Sequence, residues 1–386
     1  MKILRSTHTV NPALGGPIES IRQSSAVLQR RGHQVDVISL DSADDPWVRD
    51  APMQVFALGP GRGSYGYAPA FSDWIKKHRA EYDAVIVHGI WQYSSFGVWR
   101  ALAGTATPYF VFPHGMLDPW FKRTYPLKHL KKVLYWPWGE YRVLRDAAGV
   151  LFTSEEERRL ACESFARYRC HEIVVNYGTA APTNLEKARE TFSAAFPQLR
   201  DQSFLLFLGR LHEKKGCDLL IRSFVDLRNS GAANPPMLVV AGPSADEGYV
   251  RHLQSLAGDN RGAVVFTGML TGDAKWGALS AAEAFVLPSH QENFGIAVVE
   301  ALACGTPVLI SNKINIWREI EADGAGYVED DNLAGTANLL RRWSATSPNE
   351  RAAMRDNARS SFANRFEIER ATDSLLSAIS TGAAKP

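Results

Sequence analysis

The chain has 386 residues, 45% of them hydrophobic and 22% charged, which predicts two globular domains and excludes a disordered or fibrous protein. The net charge of +2 hides an asymmetry. Residues 1–176 carry 22 Lys+Arg against 17 Asp+Glu and the remainder 21 against 24, so the first half suits the more anionic partner, and no nucleic-acid partner is expected.

The opening "MKILRSTHTV" has Arg5 where a signal peptide needs its apolar core, and it reads as a first strand. In "NPALGGPIESI" (11–21), Gly15 and Gly16 precede a helix running from Pro17. A glycine pair there either lets backbone approach a ligand closely or simply makes a tight turn. Strand-like runs recur at 34–40, 53–58, 83–89, 108–115, 149–154 and 172–178 with helix-sized gaps between them. Strands alternating with helices predict a parallel, doubly wound sheet.

Two of these runs end in His-Gly. "VHGIWQYSS" places His88, Trp91 and Gln92 at one strand's carboxyl end, and "FPHGMLDP" places His114 and Asp118 at another. A lone histidine is usually structural, but ligands bind at this edge of open α/β sheets, so the two point to a site. Then "WFKRTYPLKHLKKVLYWPW" (120–138) sets five basic residues among aromatic ones, with no acidic residue between Asp118 and Glu140. From Pro126 the pattern is helical, with Leu127, Leu130 and Leu134 on one face and Lys128, Lys131 and Lys132 mostly off it. Such a helix suits an anionic lipid surface; the competing reading packs the leucines on the core and leaves the lysines solvated.

Four cysteines (162, 170, 217, 304) are scattered without paired metal spacing, even counting His171, and fit a reduced, cytoplasmic setting. No run approaches the length of a membrane span. Residues 177–202, with two prolines and much polar sequence, read as a linker. A second strand series follows at 203–210, 236–242, 263–268, 284–289 and 307–311. The predicted organisation is a domain at 1–176, the linker, a domain at 203–362, and a C-terminal helix at 363–386 that packs back on the first domain. The fold class expected is α/β, with two Rossmann-like doubly wound parallel-sheet domains facing a cleft.

In "FLGRLHEKKGCDLLIRSF" (207–224), Arg210, Lys214, Lys215 and Gly216 fill a strand-to-helix turn. An Arg fork and a Lys point charge make a phosphate clamp, although an exposed basic turn is also common. Neither a dinucleotide fingerprint nor a Walker A pattern occurs, which disfavours hydride-transfer and NTPase chemistry. "SHQENFGIAVVEALACG" (289–305) reads as a loop carrying Glu292, then a buried helix closing on Gly305. Glu300 is the only charge between Phe294 and Cys304 and therefore needs hydrogen-bond partners. A carboxylate at each end and a helix N-terminus between them, at Gly295, suit an elongated ligand of sugar, phosphate and ribose.

Taken together, Arg210, Lys215-Gly216, Glu292-Asn293-Phe294-Gly295, Glu300 and the Gly15-Gly16 pair resemble the retaining glycosyltransferases of family four, of GT-B type. The resemblance covers nearly the whole chain, and "HGIWQY" and "PHGMLDPW" resemble a subgroup associated with bacterial surface-polysaccharide assembly. It implies that Arg210 and Lys215 hold the donor diphosphate and that Glu300 holds the ribose hydroxyls. Glu292 and the backbone around Phe294, Gly295 and Ile296 would meet the donor sugar, and His114 would stand near the reacting centre. Gly15 and Gly16 would be donor-side, and base contacts would fall on main-chain atoms near Gly268, Met269 and Leu270. His88, Trp91, Gln92 and Asp118 are acceptor-side candidates.

The substrates implied are a GDP- or UDP-linked hexose and a glycan acceptor, polyprenyl-diphosphate-linked in one reading and a soluble small molecule in another. No cofactor or metal is expected, since no D-x-D motif occurs. The enzyme would then be cytoplasmic, peripheral on the inner face of the membrane through 120–138. An epimerase-like nucleotide-sugar enzyme and a non-catalytic carbohydrate-binding protein are the alternatives.

Overall fold

The computed structural model describes residues 1–230 and 235–383. They form two compact units, residues 1–178 with the C-terminal helix Ile368–Ala383, and Thr179–Glu367.

The first unit holds seven strands: β1 (Lys2–Ser6), β2 (Gln34–Ser39), β3 (Gln54–Ala57), β4 (Ala84–His88), β5 (Tyr109–Phe112), β6 (Gly149–Phe152) and β7 (Glu172–Val174). They pair in parallel in the order β3-β2-β1-β4-β5-β6-β7. All five residues of β4 are buried, as expected of a strand covered on both faces. The helix Gly16–Arg30 buries Ile18, Ile21, Val27 and Leu28. Against it lies the helix Ile368–Ala383, whose Leu375, Ala378 and Ile379 join a core with Ile3, Leu28, Ile86 and Phe110. Arg30 and Arg31 pair with Glu369, but these are surface ion pairs worth at most about 1 kcal/mol each, so apolar burial holds the helix.

The second unit holds β8 (Phe204–Leu208), β9 (Met237–Ala241), β10 (Val264–Gly268), β11 (Ala284–Leu287), β12 (Val308–Ser311) and β13 (Gly326–Glu329). They too pair in parallel, in the order β10-β9-β8-β11-β12-β13. Two features depart from the expectation. Strand β13 has no apolar run behind it, because "GYVE" is a half-buried edge strand. The stretch 177–202 is not an extended connector: Leu185–Ala195 forms a helix, capped by the Asn184 side chain, that packs on the helix Gly272–Ala281 inside the second unit.

Strand order reverses between β1 and β4 in the first sheet and between β8 and β11 in the second. At such a point the connections leave in opposite directions and open a crevice at the strands' carboxyl ends.

Candidate functional site

In the second unit, Arg210 follows β8 and is exposed, while Lys215 ends the short turn Glu213–Lys215. Gly216 closes that turn in the left-handed region (φ 65°), and a Cβ there would stand 2.2 Å from the Pro288 carbonyl oxygen. The close approach ties the basic turn to the loop after β11, which carries Glu292. The Lys215 ammonium touches the Glu292 carboxylate, both largely buried, so the clamp and the first glutamate form one cluster across the β8/β11 reversal. Burial, then repulsion from Lys214 and Arg210, pushes the Lys215 ammonium down to about 7; contact with Glu292 works against that shift.

The Glu292 backbone is fixed by hydrogen bonds to Lys313 and Asn315. Gly295 caps the helix Ile296–Ala303 with φ 75°, and Ile296 is its first residue. The Phe294 side chain is buried edge-on against Phe366. Glu300 is 6% exposed and meets the Lys275 ammonium at 2.6 Å. The partner demanded by that buried carboxylate is therefore a lysine from another helix, Gly272–Ala281, whose sequence gives no sign of it. Met269 and Leu270 follow β10, with Met269 65% exposed.

In the first unit, His88 ends β4 and His114 follows β5, the strand beside it. Their Nδ1 and Nε2 atoms stand 3.1 Å apart and the rings stack. His88 is 5% exposed and also faces the buried Arg5, whose Nη1 is 3.5 Å from its Nε2. Its two ring nitrogens thus face His114 and Arg5. Burial pushes the His114 imidazole down to about 4, and burial, then the nearby Arg5 and His114, pushes His88 well below the usual histidine range, so both rings are neutral at pH 7. His114 has φ 49°, a conformation few side chains adopt.

Trp91 also lies in the left-handed region, at φ 73°. Its N–H donates to Glu140 Oε1 at 2.9 Å, and Ser95 Oγ donates to the same oxygen. Glu140 is fully buried, and burial pushes its carboxyl up to about 7 against those two hydrogen bonds. Sequence reading missed Glu140, which holds the His88–Gln92 turn in place. Gln92 caps the helix Tyr93–Leu102 through its backbone alone. Asp118 is buried and accepts the Trp120 N–H at 2.8 Å. Gly15 and Gly16 begin the helix Gly16–Arg30 with open space around both.

The helix Pro126–Tyr135 reverses the usual amphipathic arrangement. His129, Lys132 and Tyr135 face inward: His129 meets the Phe165 ring, Lys132 lies over Trp91 at 4.6 Å, and Tyr135 bonds the Tyr65 hydroxyl at 2.6 Å. Leu127, Leu130 and Leu134 face solvent, 78, 56 and 69% exposed, with Trp138 at 68%. The leucines therefore do not pack on the core. Lys128 and Lys131 are exposed, while Lys132 is half-buried. Beside the helix is a cavity of about 240 Å³, lined by Met116, Asp118, Phe121, Lys128, His129 and Lys132 among others. Among the described residues no helix is long and apolar enough to cross a membrane, and no cluster of His, Cys, Asp or Glu has metal-ligand geometry.

Two parallel-sheet units, each with its strand order reversing at mid-sheet, define the GT-B class. Anabaena HepE, solved in complex with UDP and glucose, has the same fold: TM-score 0.76 over 99% of this chain and 100% of that one, at 18% identity. Residues 15–176 match the family model of the glycosyl transferase 4-like domain and residues 188–361 that of glycosyl transferases group 1. Between them the two models take in most of the chain, which belongs to the glycosyltransferases they describe.

A D-inositol 3-phosphate glycosyltransferase from Gordonia bronchialis is 27% identical over 249 residues, 63% of this chain and 54% of that protein. An alpha-monoglucosyldiacylglycerol synthase from Streptococcus pneumoniae is 26% identical over 358 residues, 87% of this chain and 77% of that protein. Against the first of its curated relatives the chain spans only 37 to 59% of their own length.

Proposed function

We propose that the chain transfers a hexose from a GDP- or UDP-linked donor, with retention at the anomeric carbon, to a lipid-linked glycan in surface-polysaccharide assembly. The observation that carries this reading is the cluster at the β8/β11 reversal, where Arg210, Lys215 and Glu292 stand on adjoining loops beside a helix N-terminus. Departure of a nucleoside diphosphate builds negative charge on its oxygens. Arg210 as a fork, Lys215 as a point charge and the N–H groups opening the helix Ile296–Ala303 stabilise that charge without a metal.

Lys215 is held by Glu292 until a diphosphate competes for it. Glu292 is then free to accept hydrogen bonds from the sugar hydroxyls. Glu300, fixed by Lys275, accepts from the ribose. His114, a neutral imidazole oriented by His88, is assigned a hydrogen bond to substrate. No carboxylate is assigned as nucleophile, so the reading favours front-face substitution.

The lipid-linked acceptor rests on the outward leucines and lysines of Pro126–Tyr135. It accords with the glycolipid synthase named from Streptococcus pneumoniae. The relative named for D-inositol 3-phosphate favours a soluble acceptor as the second reading. Each acceptor class would be supplied with UDP- and GDP-sugars and transfer followed directly. Arg210→Ala and Lys215→Ala should each lower turnover by about 10²-fold, the loss typical of one preorganised donor. Full turnover in either variant would remove the leaving-group assignment. Conversion of a nucleotide sugar alone into a new nucleotide sugar would replace transfer with epimerisation.

A further inference from the structure

Arg5 is the fourth residue of β1, between Val37 of β2 and Ile86 of β4, and is 1% exposed. Among the described residues, the only hydrogen-bond contact of its side chain is the long one to His88. Neither Nε nor Nη2 has a partner among the described residues. Isolated buried charge is among the least favourable arrangements in a protein interior, and a guanidinium cannot escape it by losing its proton at neutral pH.

Arg5 lines a small cavity of about 20 Å³ with Ser20, Ser24, His88, Tyr177 and Leu375. That lining includes no carboxylate. His88 is neutral, and the Ser24 hydroxyl donates to the Ser20 carbonyl at 2.6 Å. The cavity therefore meets one full positive charge, with Nε and Nη2 of Arg5 as its open donors, and its lining holds no negative charge. The volume admits a single water-sized occupant, whose threshold is about 10–15 Å³, and excludes phosphate, sulfate and carboxylates.

We propose that this cavity in the first unit is a binding site for one halide-sized monovalent anion, held by Arg5 and closed by the C-terminal helix. A water would satisfy the two nitrogens but leave the charge unmatched; a halide does both. Ile368, Ala371 and Leu375 of the helix Ile368–Ala383 form one wall, so the ion links the end of β1 to the last helix and stabilises the unit by mass action. This site is separate from the donor cluster and does not depend on the proposed transfer reaction.

Thermal unfolding of the full chain would be followed while gluconate is exchanged for chloride or bromide at constant ionic strength. A saturable rise of about 2–4 °C in Tm is expected, the scale set by the entropy of unfolding of a domain this size. Arg5→Met, which keeps length and removes charge, should show no halide dependence. Crystals grown in bromide should show an anomalous peak within hydrogen-bond distance of Arg5 Nε or Nη2. An equal Tm in gluconate and halide, an undiminished halide response in Arg5→Met, or no bromide peak at Arg5 would overturn the proposal. If Arg5→Met does not fold, the bromide peak in the unaltered chain decides alone.

Discussion

Replacing Leu127, Leu130 and Leu134 together with Ser should detach the protein from anionic vesicles. Their exposures of 78, 56 and 69% amount to about two whole leucine side chains available for transfer. Full burial of one is worth about 1.5–3 kcal/mol, so insertion to half depth gives roughly 1.5–3 kcal/mol. That is about one to two decades of partitioning, on the order of 1.4 kcal/mol per decade. The lysines contribute separately, at about 1 kcal/mol each near an anionic surface. Only Lys128 and Lys131 count, because Lys132 is turned under the Trp91 ring. Lys128→Gln with Lys131→Gln should therefore weaken binding by roughly 30-fold.

Salt separates the two contributions. The lysine effect fades as the screening length falls to about 3 Å at 1 M, while the leucine effect persists. Co-sedimentation with phosphatidylglycerol vesicles reads both, and emission from Trp138, 68% exposed, reports insertion depth. A protein that stays in the supernatant at low salt, or a triple-Ser variant that binds as well as its parent, would refute the reasoning.

Glu300→Ala should weaken calorimetric binding of the free nucleoside diphosphate, whereas Glu292→Gln should spare it and lower transfer; equal losses would sink that division. Gly216→Ala forces a Cβ to within 2.2 Å of the Pro288 carbonyl oxygen and should cost several kcal/mol in urea unfolding or abolish donor binding. Raising the Glu140 carboxyl from 4.5 to about 7 makes the native state bind the extra proton, so its contribution to stability is present below pH 4.5 and lost as pH rises through 7. Glu140→Gln should therefore reduce the stability difference between pH 5 and pH 8 by about 2.5 kcal/mol, read from denaturant midpoints at each pH. Turnover should survive a chelator; activity abolished by chelation and restored by magnesium would refute the metal-free mechanism.

Much of this was legible before any coordinate. Twelve of the thirteen strands announce themselves through apolar runs in or around them, and β13 stays silent because "GYVE" carries none. Arg210, Lys215 and Glu292 could be placed at one sheet edge because each follows a strand, and the strand order then put those strands side by side. Partners across sequence were not legible. Lys275 for Glu300 and Glu140 for Trp91 are tertiary pairings between helices or loops far apart in the chain, with no local period to betray them. The direction of the Pro126–Tyr135 helix was ambiguous for a related reason. Periodicity shows that Leu127, Leu130 and Leu134 share a face, but not whether that face meets the core or the solvent.

The helix Ile368–Ala383 gives the first unit an unusual history on the ribosome. Its partner surface on Gly16–Arg30 emerges before the second unit is begun, yet the helix that covers it is made only after all of Thr179–Glu367. The second unit, contiguous in sequence, can close while the first still shows an uncovered apolar patch around Ile3, Leu28 and Phe110. At about 5–20 residues per second, that patch waits roughly ten to forty seconds for its cover. An apolar surface of the first unit thus stays open while the second is made, and a chaperone that holds apolar segments should act on this protein throughout the synthesis of Thr179–Glu367.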